Sequence, residues 1–89
     1  MNNIELFSHK DCPNCPAAKE ALTQKGIPFT YIDISESMAN LKLFFKYRDF
    51  RPEFDEVKRN GRIGVPCVVV NDGEKIFFGA KDEDINGLG

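Results

Sequence analysis

The sequence is poor in cysteine, with three in 89 residues, and this is too few for a scaffold stapled by disulfides. It also has no apolar run long enough to span a bilayer, and its N-terminus, MNNIELF, lacks the basic and apolar regions of a signal peptide. The formal net charge is only −2. Because Lys and Arg are scattered among Asp and Glu, a nucleic-acid-binding surface is not expected. We therefore expect a soluble, cytoplasmic protein with no membrane or nucleic-acid partner.

The composition is sufficient for a hydrophobic core. Apolar residues make up 42% of the chain and include eight Phe, which argues against disorder. A chain of this length is comfortable as one core, and no linker, repeat or low-complexity stretch interrupts it. We expect a single domain over residues 1–89, acting as a monomer.

Hydrophobic periodicity predicts an α/β chain with the element order β-α-β-α-β-β-α. The strands are predicted at 4–7, 27–34, 65–71 and 75–78, and the helices at 12–26, at 35–50 and, as a short last helix, within 81–89. Two strands joined by a helix should be parallel, whereas the NDG turn at 71–73 predicts an antiparallel hairpin. The third strand, VPCVVVN, is apolar throughout and should be buried on both faces. Together these features predict a mixed four-stranded sheet flanked by helices.

The expected core-facing positions of the second helix come from helical spacing. Two sets of apolar residues recur in this way: Met38, Leu41 and Phe45, and Leu43, Tyr47 and Phe50. Ser35 or Ser37 is expected to cap this helix. In the first helix, Pro13 suits the first turn, where its missing N–H costs nothing.

Two cysteines three residues apart, Cys12 and Cys15, follow the first strand and open the first helix. The attacking sulfur in disulfide exchange must be a thiolate, and a helix N-terminus favours that anion. Lys10 can add a nearby positive charge. We expect Cys12 to attack a disulfide and Cys15 to resolve the mixed disulfide that forms.

A metal-handling or iron–sulfur-binding protein without turnover is the alternative reading of the cysteine pair. A structural zinc site needs four ligands, and one such pair supplies only two. Cys67 and His9 could extend the set, but there is no second pair, and a Cu(I) site with two thiolates remains open. The helix start and the strand order favour redox chemistry, and no metal site is predicted.

Three segments in order make the chain resemble a glutaredoxin, a small member of the thioredoxin fold. They are KDCPNC (10–15) after the first strand, Val65-Pro66 before the third, and GAKD (79–82) after the fourth. The resemblance covers nearly the whole chain. It implies a thioredoxin-like fold and a thiol–disulfide oxidoreductase.

The resemblance also implies partners and a binding site. Glutathione would be the co-substrate, disulfide-containing proteins would be further substrates, a reductase would supply electrons, and no cofactor would be tightly bound. Pro66 would be a cis proline, and the Val65 backbone would pair with the substrate like an added strand. The residues expected to contact glutathione are Lys10, Asn14, Val65, Pro66, Lys81 and Asp82.

Some positions depart from the family pattern. Asn14 replaces an aromatic residue, Gly64 stands where Thr is common, and Ala80 replaces a glycine. Four cations could supply a second contact to a substrate carboxylate, and the sequence does not choose among them: Arg48, Arg51, Lys58 and Arg62. Cys67 could be a third redox partner or, as we favour, a small buried residue of a core strand.

Overall fold

The computed structural model describes residues 3–88, apart from the side chain of Asp82. Its centre is a four-stranded sheet with the strand order β2-β1-β3-β4. The strands are β1 (Ile4–Ser8), β2 (Thr30–Asp33), β3 (Cys67–Val70) and β4 (Lys75–Phe78). The predicted mixed sheet is therefore confirmed, and β4 has the predicted bounds.

Four α-helices accompany the sheet within the described chain: α1 (Cys15–Gln24), α2 (Met38–Arg48), α3 (Asp55–Arg59) and α4 (Asp82–Ile85). A 3-10 turn, Pro52–Phe54, leads into α3. Ser37 caps α2, since its hydroxyl accepts a hydrogen bond from the Asn40 N–H at 3.1 Å. Within residues 3–88, no helix combines the length and apolar character needed to traverse a lipid bilayer.

The strand pairing agrees with the predicted directions. β1 lies parallel to β2 and antiparallel to β3, and β3 lies antiparallel to β4. The β3–β4 hairpin turns through Asn71 and Asp72, whose φ angles are 51° and 58°. Asn and Asp tolerate this left-handed conformation better than other non-glycine residues, which explains why the NDG sequence occurs here.

The core consists of two layers, one on each face of the sheet. Side chains alternate along β1 and β3, so that Leu6 and Val68 face one layer while Phe7 and Val69 face the other. The first layer contains buried residues of α1 and α4, and the second contains buried aromatic residues of α2 and the 3-10 turn. Every residue of β3 is buried, as predicted for a strand covered on both faces.

The aromatic residues of the second layer form a continuous chain of ring contacts. The ring centroids of Phe7 and Phe44 are 5.2 Å apart, those of Phe44 and Phe54 are 5.7 Å apart, and those of Phe54 and Phe78 are 5.0 Å apart. The last two are edge-to-face contacts, which are favourable beyond the area they bury. They join α2, the 3-10 turn and β4 into one layer.

Two predicted core positions of α2 are wrong. Met38 is 68% exposed, and Phe50, which follows the helix, is 81% exposed. The buried residues of α2 are Tyr47, as predicted, and Phe44, which belongs to neither predicted set. Helical spacing offered several stripes of apolar residues, and contact with Phe7 of β1 selects the stripe that is buried.

Glu5 is a charged residue of the central strand β1 and is half-buried. Within the described residues its Oε1 has no hydrogen-bond partner. Burial raises the pKa of the Glu5 carboxyl, the charge of Asp72 raises it further, and Lys46 opposes both effects. The folded state therefore binds this proton more tightly than the unfolded chain does.

We expect Glu5→Gln to increase the free energy of unfolding at about pH 7 and to have a smaller effect at about pH 4. Because the pKa is raised on folding, the native protein is favoured at low pH and loses this contribution as pH rises through the folded-state pKa. Urea unfolding at both pH values measures the difference, with the exposed Glu74→Gln as control. An equal effect of Glu5→Gln at the two pH values would contradict this account.

Candidate active site

The loop between β1 and α1 carries the first cysteine of the pair. The Cys12 N–H donates to the His9 carbonyl at 3.0 Å, and the Asp11 N–H donates to His9 Nδ1 at 3.1 Å. These bonds close a turn before α1, which begins at Cys15. Pro13 therefore lies in the turn, outside the first helical turn where the sequence predicted it.

Cys12 and Cys15 are joined by a disulfide, with their Cα atoms 5.5 Å apart. Their environments differ. Cys15 is 1% exposed and belongs to the buried face of α1, whereas Cys12 is only half-buried and lies beside a cleft of about 190 Å³. A second sulfur atom can approach Cys12 from solvent through this cleft but has no such access to Cys15.

The segment before β3 forms the opposite wall of the cleft. Ile63 and Val65 line it together with His9 and Asp11. The Val65–Pro66 peptide bond is cis, which confirms the expectation from the family resemblance. Val65 also precedes β3, so its backbone N–H and C=O are not committed to the pairing of β3 with β1 or β4.

A larger groove of about 820 Å³ runs along the same segment. Three of the predicted site residues, Asn14, Val65 and Pro66, line it together. Arg62 is also part of its lining and brings a positive charge. The groove can therefore accept an extended molecule with a negatively charged group.

Lys10 lies elsewhere in the site. It is exposed, and its backbone N–H donates to the Ser35 hydroxyl at 3.4 Å. Asp33 is close by: hydrogen bonds from the Ser35 hydroxyl and N–H lower the pKa of its carboxyl, and the charges of His9 and Lys10 lower it further. Lys10 thus faces a carboxylate of its own chain in addition to solvent.

The predicted contacts near α4 are placed only in part. Lys81 is exposed, and its carbonyl accepts hydrogen bonds from the N–H groups of Asp84 and Ile85, which fixes the start of α4. Asp82 is the first residue of that helix, but its side chain lies outside the described part of the structure. Of the described residues, neither Lys10 nor Lys81 is among those that line the large groove.

The structure distinguishes among the four cations that the sequence left open. Arg48 donates hydrogen bonds to backbone carbonyls, and Arg51 forms an ion pair of 3.0 Å with Glu53. Lys58 is exposed on α3. Arg62 alone of these four lines the large groove, which makes it the best placed to meet a substrate carboxylate.

Gly64 has a physical reason to replace the usual Thr. Its φ angle is +105°, a conformation that residues with a side chain rarely adopt. A Cβ atom there would also lie 3.2 Å from Phe54 Cε2 and 3.2 Å from Val57 Cγ1. The backbone of the site therefore rests directly on the aromatic layer.

Ile63 is a site residue that the sequence analysis did not identify. It is 51% exposed and lines the cleft at Cys12, the large groove and a third cavity of about 710 Å³ beside α2. Its only signal in the sequence is that it is apolar in the polar stretch RNGRIG. Exposure of an isolated apolar residue cannot be predicted from such a stretch.

Cys67, the third cysteine, is a residue of the core. It is 0% exposed, and burial, followed by the charge of Glu53, raises the pKa of its thiol. A neutral, inaccessible thiol is neither a nucleophile nor a ready metal ligand. Across the described side chains, no group of three or more His, Cys, Asp or Glu lies close enough together to hold a metal ion.

Comparison with known proteins assigns this arrangement to a family. The glutaredoxin family profile matches residues 4–76, a span that includes both cysteines of the pair and the cis proline. The chain belongs to the glutaredoxin family. Membership implies thiol–disulfide oxidoreductase activity in general.

Two individual relatives are similar to the chain over most of its length. An uncharacterized protein of Haemophilus influenzae is 32% identical over 77 residues, which cover 86% of this chain and 90% of the relative. Glutaredoxin 3 of Escherichia coli is 28% identical over 71 residues, which cover 80% of this chain and 71% of the relative.

The solved structures include the glutaredoxin-like protein NrdH-redoxin of Escherichia coli, reported with a thioredoxin-like activity profile. It superposes with a TM-score of 0.56 at 26% identity, covering 98% of this chain and 95% of that protein. The fold is therefore thioredoxin-like, as the sequence predicted.

We expect Gly64→Ala to destabilise the protein by about 1–3 kcal/mol, because its backbone conformation disfavours a side chain and Phe54 and Val57 occupy the space. Gly61→Ala is the matched control: its φ is +67°, and nothing lies within 4 Å of the added Cβ. It should cost only about 1 kcal/mol. Urea unfolding compares the two, and an equal loss in both variants would contradict the proposed contact.

Proposed function

We propose that the protein reduces glutathione mixed disulfides and protein disulfides, with Cys12 as the nucleophile and Cys15 as the resolving thiol. The observation that carries this proposal is the difference in exposure between the two bonded cysteines. Cys15 is the first residue of α1, and Cys12 lies in the turn just before it, close to the helix N-terminus, where unpaired backbone N–H groups favour a thiolate. Only Cys12 lies beside an open cleft.

The reaction takes place in two exchanges that balance electrons and protons. The Cys12 thiolate attacks one sulfur of the substrate disulfide, and the other sulfur leaves as a thiolate that takes a proton from solvent. Cys15 then loses its proton and attacks Cys12 Sγ, which releases the second substrate thiol. The product is the Cys12–Cys15 disulfide, and two electrons from a thiol donor or a reductase restore the dithiol.

Substrate binding is proposed along the large groove. Backbone groups of Val65 would pair with the substrate backbone on the Pro66 side of Cys12, in the manner of an added strand. Asn14 would line the groove without offering an aromatic ring on which the substrate could stack. Arg62 would bind a substrate carboxylate, a charge-assisted contact that is stronger than a neutral hydrogen bond.

Lys10, Lys81 and Asp82 would complete the glutathione site from outside the groove. The Lys10 ammonium would turn from the Asp33 carboxylate to a glutathione carboxylate. Asp82 and the first N–H groups of α4 would meet the opposite, amino-acid end of glutathione, with Lys81 beside them. We place the reaction in the cytoplasm, where glutathione and reductases can supply electrons.

Thioredoxin reductase is a second candidate for the electron source. The likeness to NrdH-redoxin, which has a thioredoxin-like activity profile, supports it. So do Asn14 and Gly64, which remove an aromatic ring and a hydroxyl that glutathione could contact. The Cys12 and Cys15 chemistry is the same with either donor.

The two cysteine variants should differ in kind. We expect Cys12→Ser to abolish disulfide reduction, because the buried Cys15 cannot reach the substrate. We expect Cys15→Ser to retain the first exchange and to accumulate a mixed disulfide at Cys12. Mass spectrometry of each variant after incubation with oxidised glutathione measures the adduct. Equal residual turnover in both variants would contradict the roles of Cys12 as nucleophile and Cys15 as resolving thiol.

The electron source and the substrate carboxylate contact can be tested together. Reduction of a glutathione mixed disulfide is followed with glutathione and its reductase, and separately with thioredoxin reductase. If glutathione is the donor, Arg62→Ala should raise its KM about tenfold, the effect of losing one charge-assisted hydrogen bond. Arg59→Ala removes the same charge from the exposed end of α3, and should leave the KM unchanged.

An unchanged KM in Arg62→Ala would exclude Arg62 as the carboxylate contact. If turnover occurred with thioredoxin reductase but not with glutathione and its reductase, glutathione would be excluded as the electron donor. The proposed reduction of protein disulfides would still stand.

A further inference from the structure

Arg48, at the C-terminal end of α2, donates hydrogen bonds to the backbone of the segment that precedes the cis proline. Its Nε donates to the Ile63 carbonyl and its Nη2 to the Arg62 carbonyl, each at 2.8 Å. The guanidinium also lies over the Phe45 ring, 5.9 Å from its centroid. One planar cation thus binds two successive carbonyls from a fixed position on α2.

This segment, residues 62–65, forms one wall of the site. All four of its residues line the large groove, and Ile63 and Val65 also line the cleft at Cys12. On its other side, the Arg62 N–H donates to the Val57 carbonyl at 2.9 Å. The segment is therefore held between α2 and α3, and Arg48 supplies the two bonds on the α2 side.

We propose that Arg48 is a positioning residue for substrate binding, which sets the place of residues 62–65 opposite Cys12. The inference rests on the proposed disulfide reduction and adds a residue that touches neither substrate nor the reacting sulfurs. It also explains why Arg48 is not the carboxylate ligand, since two of its nitrogens are already engaged with the protein backbone.

The geometry makes arginine specific at this position. A guanidinium presents several N–H donors in a rigid plane, whereas a lysine ammonium is a single point on a flexible chain. Arg48→Lys can keep the charge and one carbonyl bond but not the pair of bonds in a fixed plane. The segment would then retain only part of its restraint.

Kinetics should show this as a change in binding. Residues 62–65 would contact the substrate equally before and during the exchange, so loosening them raises KM and leaves kcat nearly unchanged. We expect Arg48→Met to raise KM for the disulfide substrate about tenfold with kcat within about twofold, and Arg48→Lys to raise it about threefold. Lys42→Met removes a charge from an exposed position of the same helix and should behave as the unaltered protein.

Hydrogen exchange provides a readout independent of turnover. In Arg48→Met, the Arg62 amide, whose N–H donates to the Val57 carbonyl, should exchange about tenfold faster, while the amides of β1 and β3 remain unchanged, because the restraint is local. The redox potential of the Cys12–Cys15 pair should not move. Exchange that rises across the whole sheet would mean general destabilisation and would overturn the positioning role.

The outcomes separate this inference from the proposed function. A KM in Arg48→Met equal to that of the unaltered protein, or the same rise in Lys42→Met, would overturn the role of Arg48. If the unaltered protein reduced neither glutathione mixed disulfides nor protein disulfides, the proposed function would fail. Hydrogen exchange alone would then decide whether Arg48 restrains the segment: faster exchange of the Arg62 amide supports the restraint, and unchanged exchange refutes it.

Discussion

The antiparallel pairing of β1 with β3 is the constraint on which the site depends. Phe7, near the end of β1, lies opposite Cys67, the first residue of β3. The segment that leaves β1 and the segment that enters β3 therefore meet at the same end of these two central strands. The first carries Cys12 and the second carries Val65 and Pro66, so the strand directions bring the more exposed cysteine and the cis-proline segment together.

The core determines how rigid that end is. β3 is buried on both faces, and the aromatic layer on one face reaches as far as Phe54, on which the Gly64 backbone rests. A glycine permits the close approach, and its positive φ directs the chain into the Val65–Pro66 peptide. The wall of the site is thus an extension of hydrophobic packing, while α1 keeps Cys15 buried at the opposite wall.

The sequence predicts features that depend on local patterns and misses those that depend on contacts between distant residues. The strand at 75–78 has its predicted bounds because a turn signal and an apolar run coincide there. Helical spacing places Met38 and Phe50 in the core, and this is wrong because spacing alone does not show which apolar stripe contacts β1. The contact between Arg48 and Ile63 cannot be predicted from the sequence, because the two residues are 15 positions apart and only the folded backbone brings the guanidinium to the carbonyl.

The two arginines near the groove show how position decides the role of a residue. In the sequence, Arg48 and Arg62 are equivalent candidates for a substrate carboxylate. In the fold, the Arg48 guanidinium donates to two backbone carbonyls, whereas Arg62 lines the groove. Because the Arg48 guanidinium binds the carbonyl of Arg62 itself, the first arginine fixes the backbone from which the second would reach the substrate. Specificity at this site would then depend on both arginines, Arg48 through the backbone that it holds and Arg62 through its contact with the substrate.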